Sequence, residues 1–116
     1  MLPKKNRLVK QTDFKLLAQK GRGYYSPFFT LKVLKDSGGP IFGHSLFGIV
    51  ISARVSKKAV VRNRLKRQIA EIIRLRLDGL KPGYKIMILA KPILVGKEYL
   101  QIKEQLEKYL TQAKIL

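Results

Sequence analysis

Hydrophobic and polar residues along this chain change period several times, and each change marks an element. From Thr12 to about Lys20, Phe14, Leu17 and Ala18 take the i, i+3, i+4 spacing of a helix face. Thr12 is the expected N-cap, Asp13 follows where its charge suits the helix dipole, and Gly21 or Gly23 ends the helix. From Tyr24 to Lys35 the period is two. Phe29, Leu31 and Val33 face one way, and Phe28, Thr30, Lys32 and Leu34 the other, as in a strand. Asp36-Ser37-Gly38-Gly39-Pro40 is a turn signal. A second strand, roughly Ser45 to Arg54, sets Phe47, Ile49 and Ile51 against Leu46, Gly48, Val50 and Ser52. The two strands are expected to form an antiparallel hairpin.

A long helix follows from Lys57 to Leu77, with Ser56 as a candidate cap and no Gly or Pro until Gly79. Its apolar face holds Val61, Leu65, Ile69, Ile72 and Ile73. Lys81-Pro82-Gly83 breaks the chain, Tyr84 to Lys91 reads as a third strand, and Pro92 ends it. A last helix, Lys97 to Ala113, aligns Tyr99, Ile102, Leu106, Tyr109 and Leu110. Residues 1–11 are basic and read as an extended segment anchored by Leu8 and Val9. The order α-β-β-α-β-α gives an α+β domain, a small two-layer sandwich of helices on a mixed sheet of three to four strands. With 116 residues the chain is a single domain, 1–116.

The polar face of the long helix alters this picture of an ordinary domain. Asn63, Lys66, Arg67, Ala70 and Arg74 share it, with Arg62 beside them at the helix start. Cations in a first turn oppose the macrodipole, by about 0.3–1 kcal/mol each, so stability alone would place acids there. Together with the unpaired N–H groups of a helix start, they suit a phosphate. The whole chain has 25 Lys plus Arg against 7 Asp plus Glu, a formal charge of +18. Such charge repels itself and points to a polyanionic partner. Nucleic acid comes first and an anionic membrane second.

Catalytic chemistry is hard to find in the protein. There is no cysteine, so disulfides and thiolate metal sites are excluded. Asp13, Asp36, Glu71, Asp78, Glu98, Glu104 and Glu107 are scattered, whereas a nuclease holding Mg²⁺ clusters its carboxylates. The single histidine, His44, has no evident acid–base partner. No catalytic residue and no protein metal site is therefore expected. The start lacks an apolar signal region and no run is long enough to span a bilayer, so a cytoplasmic protein is expected.

The residues Val61-Arg62-Asn63-Arg64-Leu65-Lys66-Arg67 resemble the RNR signature of the bacterial ribonuclease P protein family. Lys5-Asn6-Arg7-Leu8, Asp13-Phe14, Gly21 and Ala90-Lys91-Pro92 extend the resemblance over nearly the whole chain. It implies a left-handed β-α-β crossover around the basic helix, where the general rule favours the right-handed one. It also implies an accessory subunit of a ribonucleoprotein whose catalytic RNA, with bound Mg²⁺, removes the 5′ leader from precursor tRNA. On that resemblance Arg54, Lys57, Lys58, Arg62, Asn63, Arg64, Lys66, Arg67 and Arg74 would meet the RNA subunit. A capping role for Asn63 is the alternative. Phe14, Ala18, Thr30, Lys32, Ala90 and Arg7 would line a cleft for the single-stranded leader, with plain core packing the alternative for Phe14. Some relatives carry aromatics where Ala18 and Lys32 stand, so stacking would be weaker here and charge more important. The other functional class is a ribosomal or similar small basic RNA-binding protein without an enzymatic role.

Overall fold

The computed structural model describes residues 2–35 and 44–116, so the expected turn at 36–40 lies outside the described residues. The strands are β1 (Arg22–Tyr25), β2 (Phe29–Lys35), β3 (Leu46–Val50) and β4 (Tyr84–Ala90), in one sheet of order β1-β2-β4-β3. The helices are α1 (Gln11–Lys20), α2 (Ala59–Arg76) and α3 (Tyr99–Gln112). The fold is thus α+β with a mixed four-stranded sheet and three helices.

Two expectations about the sheet need correcting. Tyr24 to Lys35 is not one strand, because the chain folds back at Ser26–Pro27 and β1 pairs antiparallel with β2. The buried Ser26 holds the bend: its N–H donates to the Phe29 carbonyl (2.9 Å) and its hydroxyl accepts the Phe28 N–H (3.1 Å). Nor do β2 and β3 form a hairpin. β4 enters between them, antiparallel to β2 and parallel to β3, and α2 makes the crossover from β3 to β4. Alternation of side chains reports which face is buried, not which strand lies alongside.

The faces themselves follow the alternation. Phe29, Leu31, Val33, Phe47, Ile86 and Ile88 are buried on one side of the sheet against Leu65, Ile69, Ile72 and Ile73 of α2 and Ile102, Leu106 and Leu110 of α3. Ala70 joins this core at 6% exposure, a correction to its expected place on the polar face. The opposite side carries a smaller cluster in which α1 lays Leu17 and Phe14 over Met87, Leu34, Leu46, Val50 and Leu89. An ion pair from Lys85 to Asp13 (3.0 Å) ties α1 to β4.

Helix starts depart from the expected caps. Lys10 and Lys58 occupy the N-cap positions of α1 and α2, and neither helix has a side-chain cap. Thr12 is already helical, and Ser56 lies two residues upstream of the cap, its hydroxyl accepting the Lys58 N–H (3.2 Å). α3 has a capping box formed by Glu98 and Gln101.

Residues 2–10 are docked onto the domain rather than simply extended. Lys4–Asn6 form a 3-10 turn, Arg7 bridges to Phe47, and the Leu8 N–H donates to the Phe47 carbonyl (2.9 Å). Leu2 and Leu8 are the buried anchors, while Val9 is 77% exposed. Gly48 makes this docking possible, since a Cβ there would stand 2.5 and 2.7 Å from two Phe14 ring atoms and 3.1 Å from Leu8. Gly48→Ala should therefore cost about 1–3 kcal/mol of stability in urea unfolding. Phe14→Leu in the same background should recover much of it, whereas an equal loss in both backgrounds would refute the packing account.

Candidate nucleic-acid interface

The exposed face of α2 is where the sequence placed its basic ridge. Asn63, Arg64, Lys66, Arg67 and Arg74 are exposed, as are Arg54, Lys57 and Lys58 in the segment leading into the helix. Arg62 is half-buried, and its guanidinium donates to the Ser56 carbonyl (2.8 Å), holding that segment against the first turn. Asn63 is exposed and makes no capping hydrogen bond, which disfavours the alternative role for it.

Among the described residues, the side-chain ion pairs are Arg74–Glu71, Arg76–Glu107 and Lys85–Asp13. Only Arg74 of the expected ridge is thus bridged to an acid. Its Nε donates to Glu71 at 2.9 Å, and that hydrogen bonding holds the Glu71 carboxyl below the usual carboxylate range. The remaining cations, from Arg54 to Arg67, pair with no acid among the described residues, and Arg62 alone of them spends a guanidinium N–H on a backbone carbonyl. With no acid in the first turn of α2, the helix start adds to the same positive field.

Beside this ridge runs a groove of about 530 Å³. Asn63, Lys66, Arg67 and Ala70 form one wall; Arg7, Leu8, Val9 and Leu2 form the other; Phe14, Phe47, Gly48 and Ile49 complete the lining. The groove exists because β3 is an edge strand and the N-terminal segment pairs with that edge. Arg7 is positioned by its Nε, which donates to the Leu2 carbonyl (2.8 Å). Two residues expected at the leader cleft, Arg7 and Phe14, therefore share a groove with Asn63, Lys66 and Arg67 from the ridge. Sequence reasoning treated these as separate surfaces. It also missed Gly48 and Ile49, although an isolated glycine within a strand pattern is a signal of close approach.

The other cleft residues divide. Thr30 and Lys32 alternate with the buried Leu31 and Val33, so their side chains stand on the α1 face of the sheet, and Ala18 is exposed on α1. Ala90 does not line that face. It stands opposite Phe29 in the register, and Phe29 is fully buried in the main core, so Ala90 points towards α2 and α3. Leu89, opposite Thr30, takes the place that Ala90 was expected to fill.

Among the described residues, no group of three or more His, Asp or Glu could hold a metal ion. His44 is engaged through its backbone, its carbonyl accepting the Gly83 N–H (3.2 Å). No described helix is long and apolar enough to cross a membrane.

Fold and surface together define a class: a small α+β domain that displays a cationic helix to a polyanion. A sequence model of the family described as Ribonuclease P matches residues 2–114. Similar proteins include the ribonuclease P protein component of Rippkaea orientalis, 42% identical and covering 99% of this chain and 91% of that protein. That of Pseudanabaena sp. is 38% identical, covering 100% of this chain and 97% of the other. Among solved structures, a Staphylococcus aureus RNase P protein mutant with defective mRNA degradation activity is 27% identical. It superposes with a TM-score of 0.86 over 96% of this chain and 90% of that one. The RNase P protein of Thermotoga maritima gives 0.80 at 25% identity, over 91% of this chain and 96% of that one. The chain belongs to the ribonuclease P protein family, the protein subunits of a ribonucleoprotein endoribonuclease.

Free and bridged cations should behave differently. Arg67→Ala is expected to lower affinity for structured RNA about 3- to 10-fold at moderate salt. Arg74→Ala, which removes an already paired charge, should change it by no more than about twofold. Filter binding of the two variants decides, and a larger effect at Arg74 would contradict the geometry.

Proposed function

We propose that this chain binds the RNA subunit of ribonuclease P through Arg54, Lys57, Lys58 and the ridge Arg62–Arg67. It then holds the 5′ leader of precursor tRNA against the α1 face of the sheet. The observation that carries this reading is the shared groove, in which Arg7 and Phe14 face Asn63, Lys66 and Arg67. A leader strand entering there would lie beside the RNA that cuts it.

The protein's contribution is positional and electrostatic. Arginine forks suit phosphate and can stack on bases, so the ridge fixes the protein on folded RNA. The sheet face, with Thr30, Lys32 and Phe14, suits a single strand through backbone charge and stacking, with little demand on base identity. In this reading, as the family resemblance implies, hydrolysis and the Mg²⁺ it needs belong to the RNA subunit. Protein cations lower the repulsion between leader and catalytic RNA, which reduces the Mg²⁺ needed to bring them together. The particle would work in the cytoplasm.

Reconstitution tests this directly. The protein alone should cut no precursor tRNA, and adding it to the cognate RNA at low Mg²⁺ should accelerate leader release. Cleavage by the protein alone, or co-sedimentation with ribosomal subunits in place of a separate structured RNA, would overturn the reading. If about six phosphates are neutralised, log K for the RNA subunit should fall with log salt at a slope of about −4 to −5.

A further inference from the structure

Tyr25 is 65% exposed, yet its ring has a defined seat. In the register of β1 on β2 it stands opposite Thr30, which puts it on the α1 face of the sheet and away from the main core. Gly23, two residues earlier on the same face, stands opposite Lys32. A Cβ on Gly23 would lie 2.5 Å from the Tyr25 hydroxyl oxygen, 2.7 Å from Cζ and 3.0 Å from Cε2. The ring therefore leans along the strand over a position that only glycine leaves empty. Lys32 Nζ is 3.5 Å from that hydroxyl but 5.7 Å from the ring centroid. The ammonium thus sits at the hydroxyl end of the ring and does not cap its face.

We infer that Tyr25, seated over Gly23 and flanked by Lys32, stacks on one unpaired nucleobase of the leader while Lys32 meets an adjacent phosphate. The inference rests on the leader cleft proposed above and extends it to the far edge of the sheet. β1 and β3 are opposite edges, separated by β2 and β4. Three inter-strand spacings of about 4.8 Å set the Tyr25 edge roughly 14 Å from the β3 edge, where Phe14 lies against Gly48. A strand crossing the α1 face from that groove would thus reach Tyr25 at a different nucleotide from the one beside Phe14. Position 32, a lysine in this chain, leaves β2 without an aromatic on this face. The neighbouring strand supplies one instead, held by a glycine. Stacking of this kind accepts any base, because every base has a π-face.

The test uses the particle reconstituted from this protein and its cognate RNA, with precursor tRNA carrying 2-aminopurine at successive single leader positions. One position should be quenched by the native protein, quenched equally by Tyr25→Phe, and unquenched with Tyr25→Leu. Affinity for precursor tRNA relative to mature tRNA should fall about 5- to 20-fold in Tyr25→Leu. Gly23→Ala should reproduce that loss with the ring still present, by pushing it off its seat. If Tyr25→Leu keeps native affinity and quenching while Phe14→Leu weakens leader binding, the seat is wrong and the cleft stands. If neither variant changes leader-dependent affinity, the cleft reading fails and the seat fails with it.

Discussion

Everything on the cationic side of the domain depends on the burial of one side of α2. Leu65, Ile69, Ile72 and Ile73 are at most 2% exposed, and full burial of such side chains contributes about 1.5–3 kcal/mol each. Like charges a turn apart on the outer face cost only about 0.2–0.5 kcal/mol per pair. The apolar underside therefore wins with a wide margin, and the helix can keep Arg62, Arg64, Lys66 and Arg67 together without neutralising acids. In a solvated peptide the same run of cations would unwind the first turns. Here the core holds it in place, with an uncapped first turn and a row of exposed cations on its outer face.

The second constraint is the treatment of the β3 edge. An unpaired strand edge invites association with another chain. In this protein the N-terminal segment blunts it through the Arg7–Phe47 bridge and the Leu8 hydrogen bond. Buried Ser45 secures the corner: its hydroxyl donates to the Lys81 carbonyl (2.8 Å) and accepts the Tyr84 N–H (3.0 Å), while its carbonyl accepts Asn6 Nδ2 (2.9 Å). The covering segment is itself basic. Protecting the edge and building a cationic groove wall are accomplished by the same residues.

Much of the architecture was legible in the chain because burial follows period. The helical spacing of Leu65, Ile69, Ile72 and Ile73 and the alternation of Phe29, Leu31 and Val33 each identified the buried face correctly. The resemblance carried by Arg62-Asn63-Arg64 and its neighbours led to the family, which the relatives bear out over the full chain. Local chemistry was less reliable at element ends. Thr12 and Ser56 have capping side chains, but α1 starts at Gln11 and α2 at Ala59, and neither helix has a side-chain cap.

What the chain determined by itself is what each residue's own period and charge impose: the elements, their apolar faces, the cationic helix and the scarcity of acids. Tertiary structure alone decided which strands are neighbours, because a strand's alternation is equally satisfied by any partner that shares its buried face. From that choice follow the placement of β4 between β2 and β3, the turning of Ala90 into the core, and the meeting of Arg7 and Phe14 with Asn63 and Arg67. The placing of Lys32 beside Tyr25 has the same origin: the ring's seat over Gly23 lies within one strand, but Lys32 faces that glycine only because β1 pairs with β2 in this register.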